Sequence, residues 1–143
     1  MKVSAKAEYA CLAVIDLASR RDRREPVQVA ELAERNEIPE RFLLQILLQL
    51  KGAGLVQSVR GAAGGYHLSV DPRKLNLLDL IRLVDGPSDL GSTDKSKEKS
   101  VGRRVLHAVW REVIEKEESL LKQASLSRLV EAAASQDANM FYI

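Results

Sequence analysis

Two short helical patterns separated by only three residues constrain the fold of this chain more than any other feature. Apolar residues recur at helical spacing from Gln28 to Arg35 and again from Pro39 to Gly52. The residues between them, Asn36–Ile38, form a tight break. Two helices joined by about three residues are typical of a helix-turn-helix unit. The sequence therefore predicts a helix-turn-helix near the amino end of the chain.

The period of the sequence changes directly after this unit. Residues 55–60 and 66–70 have the composition of strands, and the glycine-rich stretch 61–65 between them can adopt the positive φ angles of a hairpin tip. Further helical patterns cover residues 4–19 and 75–84. We therefore expect a mainly α fold with a small β-hairpin, a winged helix-turn-helix domain that occupies residues 1–85.

The remaining residues predict an appendage that associates with another surface. Residues 86–102 have little to bury and are predicted to be a flexible linker, residues 103–134 to form dimerisation helices, and residues 135–143 to be a tail of undetermined role. A second copy of the chain is the expected partner of the long helix, because closed twofold dimers are the commonest oligomers. The apolar stripe assigned to that interface is Val105, Leu106, Val109, Trp110, Val113 and Ile114.

Composition excludes several other classes of protein. The chain has 143 residues, of which 45% are hydrophobic, and this is an ordinary globular balance. No apolar run approaches the roughly 18 residues of a membrane span, and the first residues lack the pattern of a signal peptide. We therefore expect a cytoplasmic protein with no membrane contact. The single cysteine, Cys11, excludes an intrachain disulfide framework and is expected to behave as a small buried hydrophobe.

An enzyme is not expected. The chain has two histidines and one cysteine, and it lacks a Ser-His-Asp set, paired carboxylates and metal-ligand spacing. The loop Gly61–Gly65 superficially resembles a nucleotide phosphate cradle, but it precedes a strand and lacks the Lys-Ser or Lys-Thr ending of a P-loop. We predict no catalytic residues, no metal and no cofactor.

Two functions remain open for a winged helix, a DNA-binding regulator and a protein-interaction adaptor that does not bind DNA. Apolar residues of the helix after the turn are Phe42, Leu43, Ile46, Leu47 and Leu50, and the face opposite to its apolar stripe carries Arg41, Leu44, Gln45 and Leu48. Arginine and glutamine side chains one helical turn apart can reach guanine and adenine edges, and Arg60 at the base of the wing adds a cation. This arrangement favours DNA, although Leu44 and Leu48 could instead pack under a neighbouring helix.

Three segments in fixed order resemble the Rrf2 family of bacterial winged-helix regulators. They are Lys6–Ala10, Gly54–Leu68 and His107–Arg111, of which the second is the most specific. The resemblance implies a homodimer that binds a palindromic operator in double-stranded DNA, with the third helix in the major groove and the wing in the minor groove. The residues expected at the DNA are Lys6, Tyr9, Gln28, Arg41, Leu44, Gln45, Lys51, Arg60, Gly61, Gly64, Gly65 and Tyr66, and the two last glycines are expected to let the backbone approach the groove.

The chain departs from the family pattern at two places. Many relatives carry three cysteines that hold an iron–sulfur cluster between the fourth helix and the dimer helix, whereas this chain has Arg104 at the last of these positions and no cysteine in residues 86–102. His107 remains, and without cysteines it is expected to pack rather than bind metal. Well-studied relatives have a glutamate where this chain has Leu44. The resemblance therefore implies a cluster-free regulator whose effector is an unknown protein or small molecule.

Overall fold

The computed structural model of the protein describes residues 1–22, 25–87 and 100–140. Its elements in chain order are α1 (Ala5–Ser19), α2 (Val29–Arg35), α3 (Glu40–Gly52), β1 (Val56–Val59), β2 (Gly65–Leu68), a 3-10 turn (Pro72–Lys74), α4 (Leu77–Asp85), α5 (Val101–Gln123) and α6 (Leu126–Met140). The two strands form an antiparallel hairpin in which Val56 lies opposite Leu68 and Val59 opposite Gly65. The predicted mainly helical fold with a small hairpin is confirmed.

Capping side chains fix where the helices begin. Ser4 accepts a hydrogen bond from the backbone amide of Ala7 at 3.0 Å and caps α1. At α4, Asn76 and Asp79 form a capping box, in which each side chain accepts from the other residue's backbone. Because Asn76 is the cap, α4 begins at Leu77, and the predicted helical residue Leu75 is buried ahead of the helix instead.

The core lies around α1. This helix packs against α3, α4, α6 and β2, and its inner face is rich in alanine, which lets neighbouring helices approach closely. The largest fully buried side chains are Val14, Leu17, Leu32, Leu43, Ile46, Leu47, Leu50, Val56, Leu80 and Leu126. Each such leucine contributes roughly 1.5–3 kcal/mol by leaving water, so this cluster fixes α3 relative to the rest of the domain.

A polar cluster joins α1 to the helix-turn-helix. The carboxylate of Asp16 accepts hydrogen bonds from Arg20 at 2.9 Å, from Arg35 at 2.7 and 3.0 Å, and from Asn36 at 2.9 Å. The turn itself contains Glu37 with a φ of 53°, a conformation in which the chain reverses before α3. The cluster therefore fixes the turn to the end of α1.

The carboxyl-terminal part differs from the predicted arrangement. The turn between α5 and α6 is hydrogen-bonded to the segment before α4, from Leu77 N to Ala124 O at 3.1 Å and from Leu126 N to Leu75 O at 2.9 Å. Leu126 is fully buried, and α6 packs on α1 and the 3-10 turn. The last helix thus belongs to the same packed body as residues 1–85 and extends past residue 134 to Met140. Most of the predicted linker, residues 88–99, lies outside the described residues.

Candidate nucleic-acid interface

The α3 helix has one buried and one exposed face. Leu43, Ile46, Leu47 and Leu50 are at most 1% exposed. On the opposite face Arg41 and Gln45 are exposed, and Leu44 and Leu48 are 41% and 61% exposed. The alternative in which these two leucines pack under a neighbouring helix is therefore wrong for the protomer. The face opposite the buried stripe therefore presents two hydrogen-bonding and two apolar side chains to the outside.

Phe42 is the apolar residue of α3 that precedes the predicted stripe, and it does not share the buried face of the helix. It is 41% exposed, and the guanidinium carbon of Arg41 lies over its ring, 4.8 Å from the ring centroid. The ring also lines a groove between α1 and α3, together with Lys6, Tyr9 and Gln45. Three of the predicted DNA-contacting residues, from two helices, thus meet in one groove.

The wing is fixed to the start of α2. Val27 and Tyr66 exchange both backbone hydrogen bonds at 2.8 Å, so Val27 pairs with the edge of β2 that faces away from β1. The side-chain amide of Gln28 donates to the carbonyl of Ala62 at 3.2 Å, which connects the cap of α2 to the wing tip. Sequence reasoning placed Gln28 at the DNA but did not reveal this contact, because it joins residues far apart in the chain.

Two glycines of the wing are required by the protein itself. A Cβ atom on Gly64 would lie 2.1 Å from the carbonyl oxygen of Val59, and one on Gly65 would lie 2.3 Å from that of Val27. Gly61 at the tip has a φ of 111°, which side-chain-bearing residues rarely adopt. That Gly64 and Gly65 let the backbone approach DNA stays a prediction, and the structure shows in addition that they allow close approach within the chain.

Two basic residues, Lys51 and Arg60, lie beside β1 of the wing. The ammonium of Lys51 donates to the hydroxyl of Ser58 at 2.8 Å, which joins the end of α3 to β1. An open recess there is lined by Lys51, Arg60 and neutral residues only. A second recess lies on the α2 side of the wing. Six residues predicted to contact DNA line it: Gln28, Arg60, Gly61, Gly64, Gly65 and Tyr66. Arg60 borders both recesses and is exposed.

The donor set does not fit an iron–sulfur cluster. Such clusters usually need four ligands, chiefly thiolates, and the chain has one cysteine. Cys11 lies in α1, where burial, aided by Asp85 and Glu8, raises the pKa of its thiol to about 11. His107 stacks on Trp110 with ring centroids 5.3 Å apart. Among residues 1–22, 25–87 and 100–140, no three His, Cys, Asp or Glu side chains are grouped as metal ligands.

The predicted dimer stripe on α5 is exposed. Val105, Leu106, Val109, Trp110 and Val113 are between 40% and 62% exposed, and no described residue of α5 is buried. Ile114 differs from them, since it is half-buried and lines a cavity between α4 and α5 with Leu78 and Ile81. None of the helices in the described part of the chain is long and apolar enough to span a membrane.

Comparison with known proteins identifies the fold and the class of function. The Rrf2 family model, described as an iron-dependent transcriptional regulator, matches residues 3–132. An rrf2-like HTH-type transcriptional regulator of Rhodobacter capsulatus is 42% identical over 87 residues, which are 59% of this chain and 58% of that protein. The HTH-type transcriptional regulator CymR of Bacillus subtilis is 31% identical over 144 residues, and the match covers all of both chains.

The solved structures agree. The structure of T. potens IscR superimposes with a TM-score of 0.75 and 34% sequence identity, covering 93% of this chain and 88% of that one. The relatives are transcriptional regulators and not enzymes. These findings favour a regulator that binds DNA over an adaptor that does not.

Proposed function

Because the chain belongs to the Rrf2 family of transcriptional regulators, we propose that it is a cytoplasmic repressor that binds a palindromic operator as a homodimer and holds no iron–sulfur cluster. The observation that carries this proposal is the exposed face of α3. Its Arg41, Leu44, Gln45 and Leu48 point away from a fully packed core, in the second helix of a helix-turn-helix.

The chemistry of that face predicts which bases it reads. The amide of Gln45 pairs with adenine, and the guanidinium of Arg41 pairs with guanine or contacts a phosphate. Leu44 has no hydrogen-bonding group, so it packs against the methyl group of thymine. A glutamate at the same position would accept a hydrogen bond from cytosine instead.

Selection of bound sites from a random DNA pool tests this proposal, with the wild-type protein and Leu44→Glu compared at one salt concentration. We expect the wild type to enrich a palindrome, and the variant to change thymine to cytosine at one symmetric pair of positions. A uniform loss of binding with unchanged base preference would show that Leu44 does not read a base. Failure of the wild type to enrich any site would contradict the function itself.

The cofactor proposal has its own test. Protein purified without oxygen should be colourless and free of iron, since one cysteine and one histidine that matches the family position cannot replace four cluster ligands. Iron analysis and the visible absorption spectrum measure this directly. A visible band with stoichiometric iron would contradict it.

A further inference from the structure

We propose that Phe42 is a positioning residue for sequence recognition: its ring holds the guanidinium of Arg41 in a fixed plane, so that Arg41 reads a guanine rather than a phosphate. The proposal rests on the proposed function, namely that α3 enters the major groove. It adds which side chain makes Arg41 specific.

The position of Phe42 is the first evidence. The side chain is 41% exposed and lies outside the hydrophobic core cluster, so its volume is not needed to fill the core. One side of the ring lies under the guanidinium of Arg41, at 4.8 Å. The residue also borders the groove that contains Gln45, so it adjoins both side chains predicted to contact bases.

The state of Arg41 is the second evidence. Within the described residues its guanidinium makes no hydrogen bond or ion pair, and the contact with the ring is the interaction that orients it. A guanidinium that stacks on an aromatic ring uses its flat face for the contact and leaves its N–H groups directed outward from the edge. Bidentate recognition of the O6 and N7 atoms of guanine needs these same edge groups.

A guanidinium of Arg41 that is oriented before DNA binds should favour guanine over other bases and over phosphate. A phosphate accepts a guanidinium from many directions, whereas a guanine needs both N–H groups in one plane. Ordering a flexible side chain at an interface carries an entropic cost, and a ring that already orders it reduces this cost. Loss of the ring should lower the preference for guanine by roughly two- to twelvefold at each half-site.

Four variants of the full-length protein test the proposal on the selected operator: Phe42→Leu, Phe42→Trp, Arg41→Ala and the double variant Phe42→Leu/Arg41→Ala. The measurement is the affinity ratio between operators with guanine and with adenine at the position under Arg41, at fixed salt. We expect Phe42→Leu to lower this ratio, Phe42→Trp to retain it because tryptophan is the best cation–π partner, and the double variant to match Arg41→Ala.

Three results would overturn the proposal. Phe42→Leu that weakens binding to both operators equally would show a general structural role. Equal effects of Phe42→Leu with and without Arg41 would show that the two residues act independently. If Arg41→Ala does not change the base preference, Arg41 reads no base and the proposal for Phe42 fails. The proposed function would still stand in that case, provided that the wild type binds its operator specifically.

Discussion

At the scale of single residues, Asp16 determines how firmly the helix-turn-helix is held. Its side chain is only 10% exposed and receives hydrogen bonds from Arg20, Arg35 and Asn36. Burial raises the pKa of the Asp16 carboxyl, but the hydrogen bonds from these three donors outweigh burial and hold the pKa below its usual value of 3.8. A group whose pKa is lowered by folding stabilises the folded state above its unfolded pKa and loses this effect as the pH falls.

Asp16→Asn should therefore lower the free energy of unfolding at pH 7 by about 2 kcal/mol, since the negative charge and one of the two acceptor oxygens are lost. Urea unfolding at fixed protein concentration measures the difference. The difference between variant and wild type should shrink as the pH falls below the ordinary carboxyl pKa of 3.8. Asp22→Asn, at an exposed position, is the control. A difference that stays constant down to pH 3 would show that the charge of Asp16 does not matter.

At the scale of elements, the wing is held in one place by contacts within the chain. The Val27–Tyr66 hydrogen bonds fix its base, the contact from Gln28 to Ala62 fixes its tip, and Gly64 lets the tip fold back on Val59. A wing held in this way places Arg60 at a constant distance from α3. The separation between α3 and Arg60, which we propose to contact the major and the minor groove, is then a property of the fold.

Gly64→Ala should disturb the wing, because the added carbon would overlap the carbonyl of Val59. We expect a loss of roughly 1–3 kcal/mol in the free energy of unfolding, together with weaker DNA binding. Gly52→Ala is the matched control, because a Cβ there meets no atom within 4 Å. Thermal unfolding of the two variants decides the point. Equal stability of both would mean that the wing tip adapts to a side chain.

Arg60→Ala tests what the wing does at the DNA. A narrow A·T-rich minor groove has an enhanced negative potential that attracts arginine, so removal of the side chain should weaken operator binding by about 1–3 kcal/mol. Fluorescence anisotropy at fixed salt measures the dissociation constant. An unchanged constant would exclude the wing from the interface.

The helices and the wing differ in how far their contacts can be predicted from the sequence. The buried face of α3 follows from a period of 3.6 residues, so Leu43, Ile46, Leu47 and Leu50 were predicted. Phe42 lies next to that face, and periodicity alone does not tell whether such a residue turns inward or outward. The roles of Gly64 and Gln28 depend on Val59 and Ala62, which are brought to them by the hairpin. Contacts of this kind have no local signal in the sequence.

At the scale of the whole molecule, α5 is a 23-residue helix without a buried residue among those described, while α6 is anchored through the fully buried Leu126. The sequence predicted the exposed stripe but not this anchor, because Leu126 has a local pattern like that of any amphipathic helix. Removing everything after residue 86 would therefore also open the core. Point variants on α5 are the better test of the dimer.

Val109→Glu should weaken the dimer without unfolding the protomer, because Val109 is 52% exposed in one chain. Burying a new carboxylate between two apolar helices is unfavourable. Lys122→Glu introduces the same residue at an exposed position outside the stripe and serves as the control. Sedimentation at several concentrations gives the mass of each protein. A dimer of undiminished stability in Val109→Glu would place the interface elsewhere.

A competition titration tests most directly whether this chain recognises a palindromic DNA sequence as a dimer. The wild-type protein is first titrated against the selected operator. Two duplexes of the same length then compete with the operator for the protein in separate experiments: one has one half-site scrambled, and the other has both half-sites scrambled. We predict saturation at two chains per operator and an affinity for the intact palindrome at least ~10³ times that for the fully scrambled duplex at fixed salt. Equal affinity for all three duplexes would contradict the account.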